Sequence, residues 1–363
     1  MKTDRFLYKE KNLKAIIKEK KGYDSIAYKD VPVPLISDDE VLIKVKAAGI
    51  CGSDIHILKD EFPYWPPVIL GHEFSGIIEK AGKNIKNFQI GDRVTSEPQQ
   101  KVCGICRYCR LGLIHLCSSK RSPGWGIDGA MAEYIKLPEA LLHKLPDNIS
   151  FIEGAVIEPA STVTHAVIER ANIRPSDYVV ITGPGPIGLI ATQIAKAVSA
   201  KKVIICGMSS DEPYRFTVAK SLGADDIINV EKIDLSEYVL SDTDGYGADM
   251  VIECSGSEAA INTAIDILAK NAKLVCIGIS GKDKIKISYD KVIYKEINII
   301  TSMSSTYSSW KYTIELLKVG KLDLKKVVSD ILPLSDYRIG FEKAINRQGL
   351  KIVLVPDGEY GNL

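Results

Sequence analysis

Residues 178–182, Tyr-Val-Val-Ile-Thr, form a short apolar run that leads directly into Gly183-Pro184-Gly185-Pro186-Ile187-Gly188, and a helical pattern follows over 187–199. A strand that ends in three glycines at this spacing and becomes a helix is tightly constrained. The first glycine permits a sharp turn, the second lets the backbone approach a pyrophosphate, and the third lets helix and strand pack closely. The start of the helix then offers unpaired N–H groups to the anion. Runs 202–206, 250–254 and 274–278 read as further buried strands, with a helical pattern at 215–222 between the first of them. This alternation predicts βαβ units and a doubly wound parallel sheet, an α/β fold.

Ahead of residue 160 the pattern is different. Short β-rich runs at 41–47, 74–79 and 131–137 are separated by Gly, Pro and Asp, the mark of a β-dominated domain. From about 303 the alternation stops, and a helical stretch at 310–319 leads to a last strand at 351–356. That tail is too short for a domain of its own and is expected to pack back on the first. The 363 residues therefore divide into 1–161, completed by 303–363, and 162–302.

The 47 Lys and Arg balance 46 Asp and Glu to a net charge of +1, so no global field draws the chain to nucleic acid or to an anionic membrane. The most apolar stretch, 178–198, is broken by prolines and glycines and is no spanning segment. The lysine-rich opening, 1–24, lacks the apolar core of a secretory signal. A cytoplasmic location is expected, where cysteines serve as thiols or metal ligands rather than disulfides.

Cys103, Cys106, Cys109 and Cys117 are spaced C-x2-C-x2-C-x7-C, which lets one loop wrap four thiolates around a tetrahedral ion in a closed structural zinc site. An iron–sulfur loop would have a shorter last gap and a proline where Ser118 stands. Cys206, Cys254 and Cys276 fall on or beside predicted strands and are read as packing. In the dinucleotide site an acidic residue about 20 positions on, at the end of the second strand, selects NAD; here Gly207 stands there, followed by Met208, Ser209 and Ser210. Arg215 suits a 2′-phosphate, or is a solvated helix residue, while Asp211 and Glu212 would repel one. The cofactor is NAD or NADP.

Further segments are scattered: Gly49-Ile50-Cys51-Gly52-Ser53-Asp54-Ile55-His56, Gly71-His72-Glu73, Gly91-Asp92-Arg93-Val94, Glu158-Pro159 and Val251-Ile252-Glu253-Cys254-Ser255-Gly256. With the cysteine cluster and the glycine turn, they resemble the zinc-dependent medium-chain dehydrogenases, in particular the sorbitol and threonine dehydrogenase branch. The resemblance covers most of the chain and is weakest before Lys14 and after Ile345. It implies a GroES-like catalytic domain beside a Rossmann domain, and cofactor contacts from Gly183, Gly185, Pro186, Ile187, Gly188, Gly207, Ser209, Arg215, Ser255 and Gly278. It also implies that Cys51 and His72 bind a catalytic zinc, with Glu73 and Glu158 sharing the third protein position, so that each chain carries two zinc ions. Which of the two glutamates ligates is open. The alcohol dehydrogenase branch has cysteine where Glu158 stands, and the polyol branch has glutamate. Asp54 matches the carboxylate that orients the zinc histidine, or caps a helix starting near Ile55.

The implied reaction moves a hydride between a secondary alcohol and C4 of a nicotinamide, the hydroxyl becoming acidic beside a Lewis-acidic cation. Ser53 and His56 stand at the family's relay positions and would pass the proton through the cofactor ribose to solvent, unless His56 is simply a surface residue. His115, His143 and His165 receive no role. Phe62, Tyr64, Trp65 and Trp310 are pocket candidates, although such aromatics more often build core. Polyol dehydrogenases carry an arginine shortly before that last tryptophan; here the stretch is Ser302-Met303-Ser304-Ser305-Thr306, which points away from sorbitol itself and leaves a sugar, cyclitol or other diol. A homo-oligomer, dimer or tetramer, is implied. Two rivals are a cofactor-binding member without chemistry and a nucleic-acid module built on the cysteine loop, the latter opposed by the balanced charge.

Overall fold

The computed structural model describes residues 12–361, so residues 1–11 of the lysine-rich opening lie outside it. The chain forms two compact units, one running up to Glu158 and resuming at Val328, the other Pro159–Val327.

In the first unit the seven-stranded sheet runs Val328–Pro333, Lys351–Val355, Glu40–Gly49, Glu73–Ala81, Arg93–Ser96 and Leu142–Lys144, with Tyr134–Pro138 also paired to Glu40–Gly49. A three-stranded sheet, Ile26–Pro32, Asn12–Lys18 and Val68–Ile69, accompanies it. Alternating Val41, Ile43 and Val45 place their side chains on one face of the long central strand, in one apolar cluster with Ile78, Val94, Leu137 and Ile352. The last strand pairs here: Val353 lies opposite Gly49 and Leu354 opposite Ala48, in antiparallel register. Because Gly49 also lies opposite Glu73, three adjacent strands bring Lys351, Gly49 and Glu73 to one edge of the sheet.

The second unit is a six-stranded parallel sheet in the order Asp226–Asn229, Lys202–Gly207, Tyr178–Thr182, Ala248–Glu253, Leu268–Cys276, Asn298–Thr301. Numbered along the chain this is 3-2-1-4-5-6, the doubly wound arrangement, whose order reverses between the first and fourth strands. Val179, Val180 and Ile181 are all fully buried, as strands covered on both faces require. The α/β class and the two architectures are those the sequence predicts.

The first border falls between Glu158 and Pro159, close to the 161 read from the sequence, and the second falls between Val327 and Val328, well after 302. Helix Tyr307–Lys318 belongs to the second unit, where Thr313 shares a 2.8 Å hydroxyl hydrogen bond with Thr164 and the Asp323 N–H donates to Gln193 Oε1 at 2.6 Å. The strand that follows this helix, Val328–Pro333, joins the sheet of the first unit, so the helix looks like part of the returning tail; its buried Trp, Thr and Ile face is what ties it to the second unit. Trp310 is fully buried there, its Nε1 donating to Ser305 Oγ at 2.9 Å, so it is core and not a pocket wall. Among the described residues no helix is long and apolar enough to cross a membrane.

Candidate metal centres and dinucleotide turn

Cys51 precedes helix Gly52–Leu58, and Asp54 reaches back so that its Oδ2 accepts the Cys51 N–H at 2.9 Å. Gly71, at φ +91°, turns the chain into strand Glu73–Ala81; a Cβ there would meet Met131 Cγ at 2.7 Å. A Cβ on Gly49 would lie 2.2 Å from Glu73 Oε2, so only glycine leaves room for that carboxylate. The result is that ligand atoms of Cys51, His72 and Glu73 all lie within 4.8 Å of one another.

Four buried atoms around this point, Ser53 Oγ, Asp54 Oδ1, His72 Nδ1 and Glu73 Oε2, have no hydrogen-bond partner among the described residues. Each such orphan costs about 1–3 kcal/mol, and a cluster of them marks a place built to receive something. A thiolate, an imidazole and a carboxylate suit zinc, with a fourth position open for substrate. The electrostatics agree. Burial opposes a charged imidazole at His72, yet Cys51, Asp54 and Glu158 outweigh it and raise its pKa well above the usual value; the field that attracts a proton there equally attracts a dication.

Glu158, at the start of helix Ile157–Thr164, stands outside the group of three but within reach of its charge. Burial pushes its carboxyl up to about 7 and Glu73 adds to this, while His72, Lys351 and Lys120 pull the other way. The helix starts at Gly52 rather than near Ile55, with Cys51 as its N-cap and Asp54 in its first turn bonding back to the Cys51 N–H; burial raises the Asp54 pKa, with Glu73 adding to the effect, and His72 feels its charge. His56 is partly exposed and its Nδ1 pairs with Glu61 Oε2 at 2.9 Å. Tyr64 is buried against Asp60, whereas Phe62 meets Trp125 edge-on at 5.5 Å and Trp65 stacks on it at 6.1 Å. His143 bonds to Glu97 and His165 to Glu169, so each has a structural partner.

Lys351 is a site residue that no sequence motif singles out. It is buried, and its Nζ donates to Glu73 Oε1 at 2.8 Å and to the Ile50 carbonyl at 3.1 Å. Burial works against its charge, but Glu73, Cys51 and Glu158 overcome this and raise its pKa. Lys351 thus fixes one oxygen of Glu73, while the other is buried without a hydrogen-bond partner among the described residues. The available signal was a lysine at the head of an otherwise apolar strand, Lys-Ile-Val-Leu-Val.

The second centre is the cysteine loop. Sγ–Sγ distances are 3.5 Å for Cys106–Cys109, 3.6 Å for Cys103–Cys117 and 3.9 Å for Cys103–Cys109. Bonds of about 2.3 Å in a tetrahedron give edges of about 3.8 Å, so the four sulfurs are spaced for zinc and far too distant for disulfides. Backbone N–H groups of Cys103, Cys106 and Cys109 point at sulfurs of the set, and N–H donors from Ile105 and Cys106 bring Cys103 down to about 6. By contrast, burial pushes Cys206 up to about 12, Cys276 to about 11 and Cys254 well above the usual range, as inert packing thiols.

In the second unit Gly183 adopts φ +92° and a Cβ on Gly188 would lie 2.0 Å from the Gly183 carbonyl, while Gly185 has open space around it. Helix Pro186–Ala197 starts at Gly185 with Pro186 in its first turn. Tight turn, close packing and open approach are the three features a pyrophosphate requires. Gly207 ends the second strand, and the Asp211 carboxylate folds back to it: Oδ2 accepts the Met208 N–H at 2.9 Å and lies 2.7 Å from where a Cβ on Gly207 would be. Arg215 pairs with Asp211 at 3.3 Å. Ser209 N–H donates to Glu231 at 2.7 Å.

Glu253 is a further residue whose importance the sequence hid. Fully buried, it accepts from Thr182 Oγ1, Ser255 N and Oγ, and Gly256 N at 2.5–3.2 Å. It thereby ties the 255–256 turn to the first strand, beside Gly183, whose missing Cβ would sit 3.1 Å from that of Ser255. A Cβ on Gly278 would strike Gly256 N at 2.3 Å and Glu253 Oε2 at 2.6 Å, so this glycine gives room to the clamp.

The chain matches the alcohol dehydrogenase GroES-like domain over residues 37–147 and the zinc-binding dehydrogenase domain over 186–319. It is 37% identical over 350 residues to the D-arabitol-phosphate dehydrogenase of Enterococcus avium, covering 96% of this chain and 99% of that one. It is 38% identical over 344 residues to a sorbitol dehydrogenase of Halalkalibacterium halodurans, covering 95% and 99%. Among solved structures, a zinc-binding dehydrogenase candidate of Sinorhizobium meliloti 1021, bound to NADP, superposes with a TM-score of 0.89 at 28% identity, covering 96% and 100%. With both domains matched and relatives of this identity aligned end to end, the chain belongs to the zinc-dependent medium-chain alcohol dehydrogenase family.

Proposed function

We propose that this chain oxidises a secondary hydroxyl of a polyol, or reduces the matching ketone, with Cys51, His72 and Glu73 holding the catalytic zinc and Cys103, Cys106, Cys109 and Cys117 a structural one. The convergence of three different donor atoms within 4.8 Å, two of them on residues with an unpartnered buried atom, carries this reading. When bound, zinc supplies the Lewis acidity that makes an alcohol acidic and a nicotinamide supplies the hydride acceptor. The protein supplies the rest. Lys351 holds Glu73 in place, and Glu158, kept near neutral pKa by burial, is poised to exchange a hydrogen bond or a proton with a substrate hydroxyl. Asp54 biases His72 through its charge. Ser53 Oγ takes the departing proton inside, and His56, three residues on and backed by Glu61, releases it to solvent.

The dinucleotide binds with Gly183, Gly185, Pro186, Ile187 and Gly188 at its pyrophosphate and Ser255 and Gly278 at the adjoining turn. We read the cofactor as NAD. Asp211 occupies the place of the missing acidic residue beside Gly207 and pairs with Arg215, the cation nearest the end of that strand, while Glu231 holds Ser209, an arrangement that favours ribose hydroxyls over a 2′-phosphate. The unpaired edge of strand Asn298–Thr301, with Ile299 44% exposed, favours a homo-oligomer. Eight free thiols favour a reducing, cytoplasmic setting. Nothing favours a catalytically silent member. A panel of alditols tested with NAD and with NADP, following nicotinamide reduction, should show zinc-dependent turnover that prefers NAD; no turnover of any alcohol by zinc-loaded protein with either cofactor would refute the assignment.

A further inference from the structure

Lys120, Arg121 and Trp125 lie on the segment that packs against the turn before His72, and Trp65 stacks on it. Gly124, at φ +88°, sits so close to Gly71 that a Cβ would be 2.8 Å from the Gly71 nitrogen, and Gly129 is tighter still, 2.2 Å from the Gly71 carbonyl. This anchors the segment carrying Lys120, Arg121 and Trp125 beside the residue that leads into the metal-ligand pair. The Trp65 N–H donates to the Trp125 carbonyl at 2.9 Å, and the two rings stack. Across them the Arg121 guanidinium lies 3.6 Å above the Trp65 ring and Lys120 Nζ is 5.8 Å from the Trp125 ring. The Arg121 stem fits only because residue 126 is glycine: a Cβ there would be 2.4 Å from Arg121 Cδ.

Neither cation is neutralised by a carboxylate ion pair among the described residues. Arg121 spends one N–H on the Lys120 carbonyl at 2.9 Å, leaving the rest of a five-donor planar fork unused. Lys120 is half-buried beside the Trp125 ring, on the segment that Gly124 and Gly129 hold against Gly71, next in the chain to the metal-ligand pair His72 and Glu73.

A half-buried amine next to a stacked guanidinium is costly to maintain and offers little to an uncharged polyol. A phosphate monoester carries close to two negative charges and three acceptor oxygens, and an arginine fork with a neighbouring lysine is the arrangement that reads it. We propose that the substrate is a phosphorylated polyol, and that Lys120 and Arg121 bind its phosphate while a hydroxyl farther along the carbon chain is presented to Cys51, His72 and Glu73. This rests on the polyol reading above and adds to it the anionic group and the residues that select it.

The test uses the full-length, zinc-loaded protein with D-arabitol, its terminal phosphate ester and the matching aldonic acid. The phosphate ester is expected to exceed the free polyol in kcat/KM by at least about a hundredfold, mostly through KM. Lys120→Met should reduce that ratio by roughly tenfold to a hundredfold, with Lys120→Arg recovering part of it; a folding defect would instead lower both substrates alike. Inorganic phosphate should quench the fluorescence of Trp65 and Trp125 saturably, and Lys120→Met should abolish the quench, which reads the phosphate site even without turnover. Equal kcat/KM for ester and free polyol would overturn this proposal and leave the polyol reading intact. A preference for the aldonate, or a ratio untouched in both Lys120→Met and Arg121→Gln, would also overturn it. If no alcohol is oxidised, the polyol reading falls, and the phosphate quench alone decides whether the anion site exists.

Discussion

The two candidate metal centres of the first unit are built on opposite plans. The cysteine loop draws four identical donors from fifteen consecutive residues, its sulfurs 3.5–3.9 Å apart and already met by backbone N–H groups. The other centre takes three different donors from two separate segments, is steadied by a lysine 278 residues from Glu73, and leaves buried polar atoms unpartnered. A closed, uniform shell has nothing left to offer a substrate and can only stabilise. An incomplete mixed shell is less stable by itself, and that unsatisfied valence is what makes it useful.

If this contrast is right, substitutions at the two centres should separate activity from stability. The largest effect is expected from Cys51→Ser, which should remove one zinc per chain and lower kcat/KM by roughly a thousandfold or more while leaving the thermal midpoint close to that of the parent; metal analysis beside alcohol-dependent NAD reduction reads both. Cys106→Ser should do the reverse. It too loses one zinc, but the midpoint falls by roughly 10 °C and initial activity at 25 °C largely survives, as a melt and an assay of the same sample would show.

Lys351→Met probes what holds the open centre together. Removing one partner of a buried ion pair costs roughly 3–5 kcal/mol because the other charge is stranded, so urea unfolding should register a loss of that order. Adding Glu73→Gln should restore most of the stability but not the activity. A loss equal to the sum of the single variants would mean the two side chains do not interact.

The smallest expected effect is on pH. Glu158, raised from 4.5 to about 7, and His72, raised above its usual value, both favour the protonated, metal-free protein. The Glu158 contribution to stability is complete below pH 4.5 and is lost as pH climbs through 7, that of His72 is complete below 6.5 and is lost at higher pH, and zinc affinity rises as these groups shed protons. Urea midpoints of the metal-free protein should therefore fall from pH 5 to 8, and Glu158→Gln should flatten part of the slope.

The same contrast explains what could be read from the amino-acid sequence. The cysteine loop and the glycine turn are local: spacing along the chain is nearly spacing in the fold, and strand Tyr178–Thr182 has the predicted bounds. The mixed centre depends on strand register. Only the pairing of Lys351–Val355 with Glu40–Gly49, and of Gly49 with Glu73, brings Lys351 to its carboxylate, and a lone lysine in a terminal strand does not announce such a contact. Glu253 was visible within a family segment, but its clamp on the 255–256 turn depends on that turn folding back. The period of helix Tyr307–Lys318 is plain in the sequence, but helical period says nothing about which core receives the buried face, and here it is the second unit's.

Zinc X-ray absorption on the fully loaded protein addresses the two-centre account most directly, because sulfur and lighter ligands scatter differently. The account predicts two zinc ions per chain sharing five sulfurs, with nitrogen and oxygen making up the remaining protein ligands, and a change to one ion with four sulfurs in Cys51→Ser. A parent protein that turns over alcohol with a single, all-sulfur zinc would contradict it.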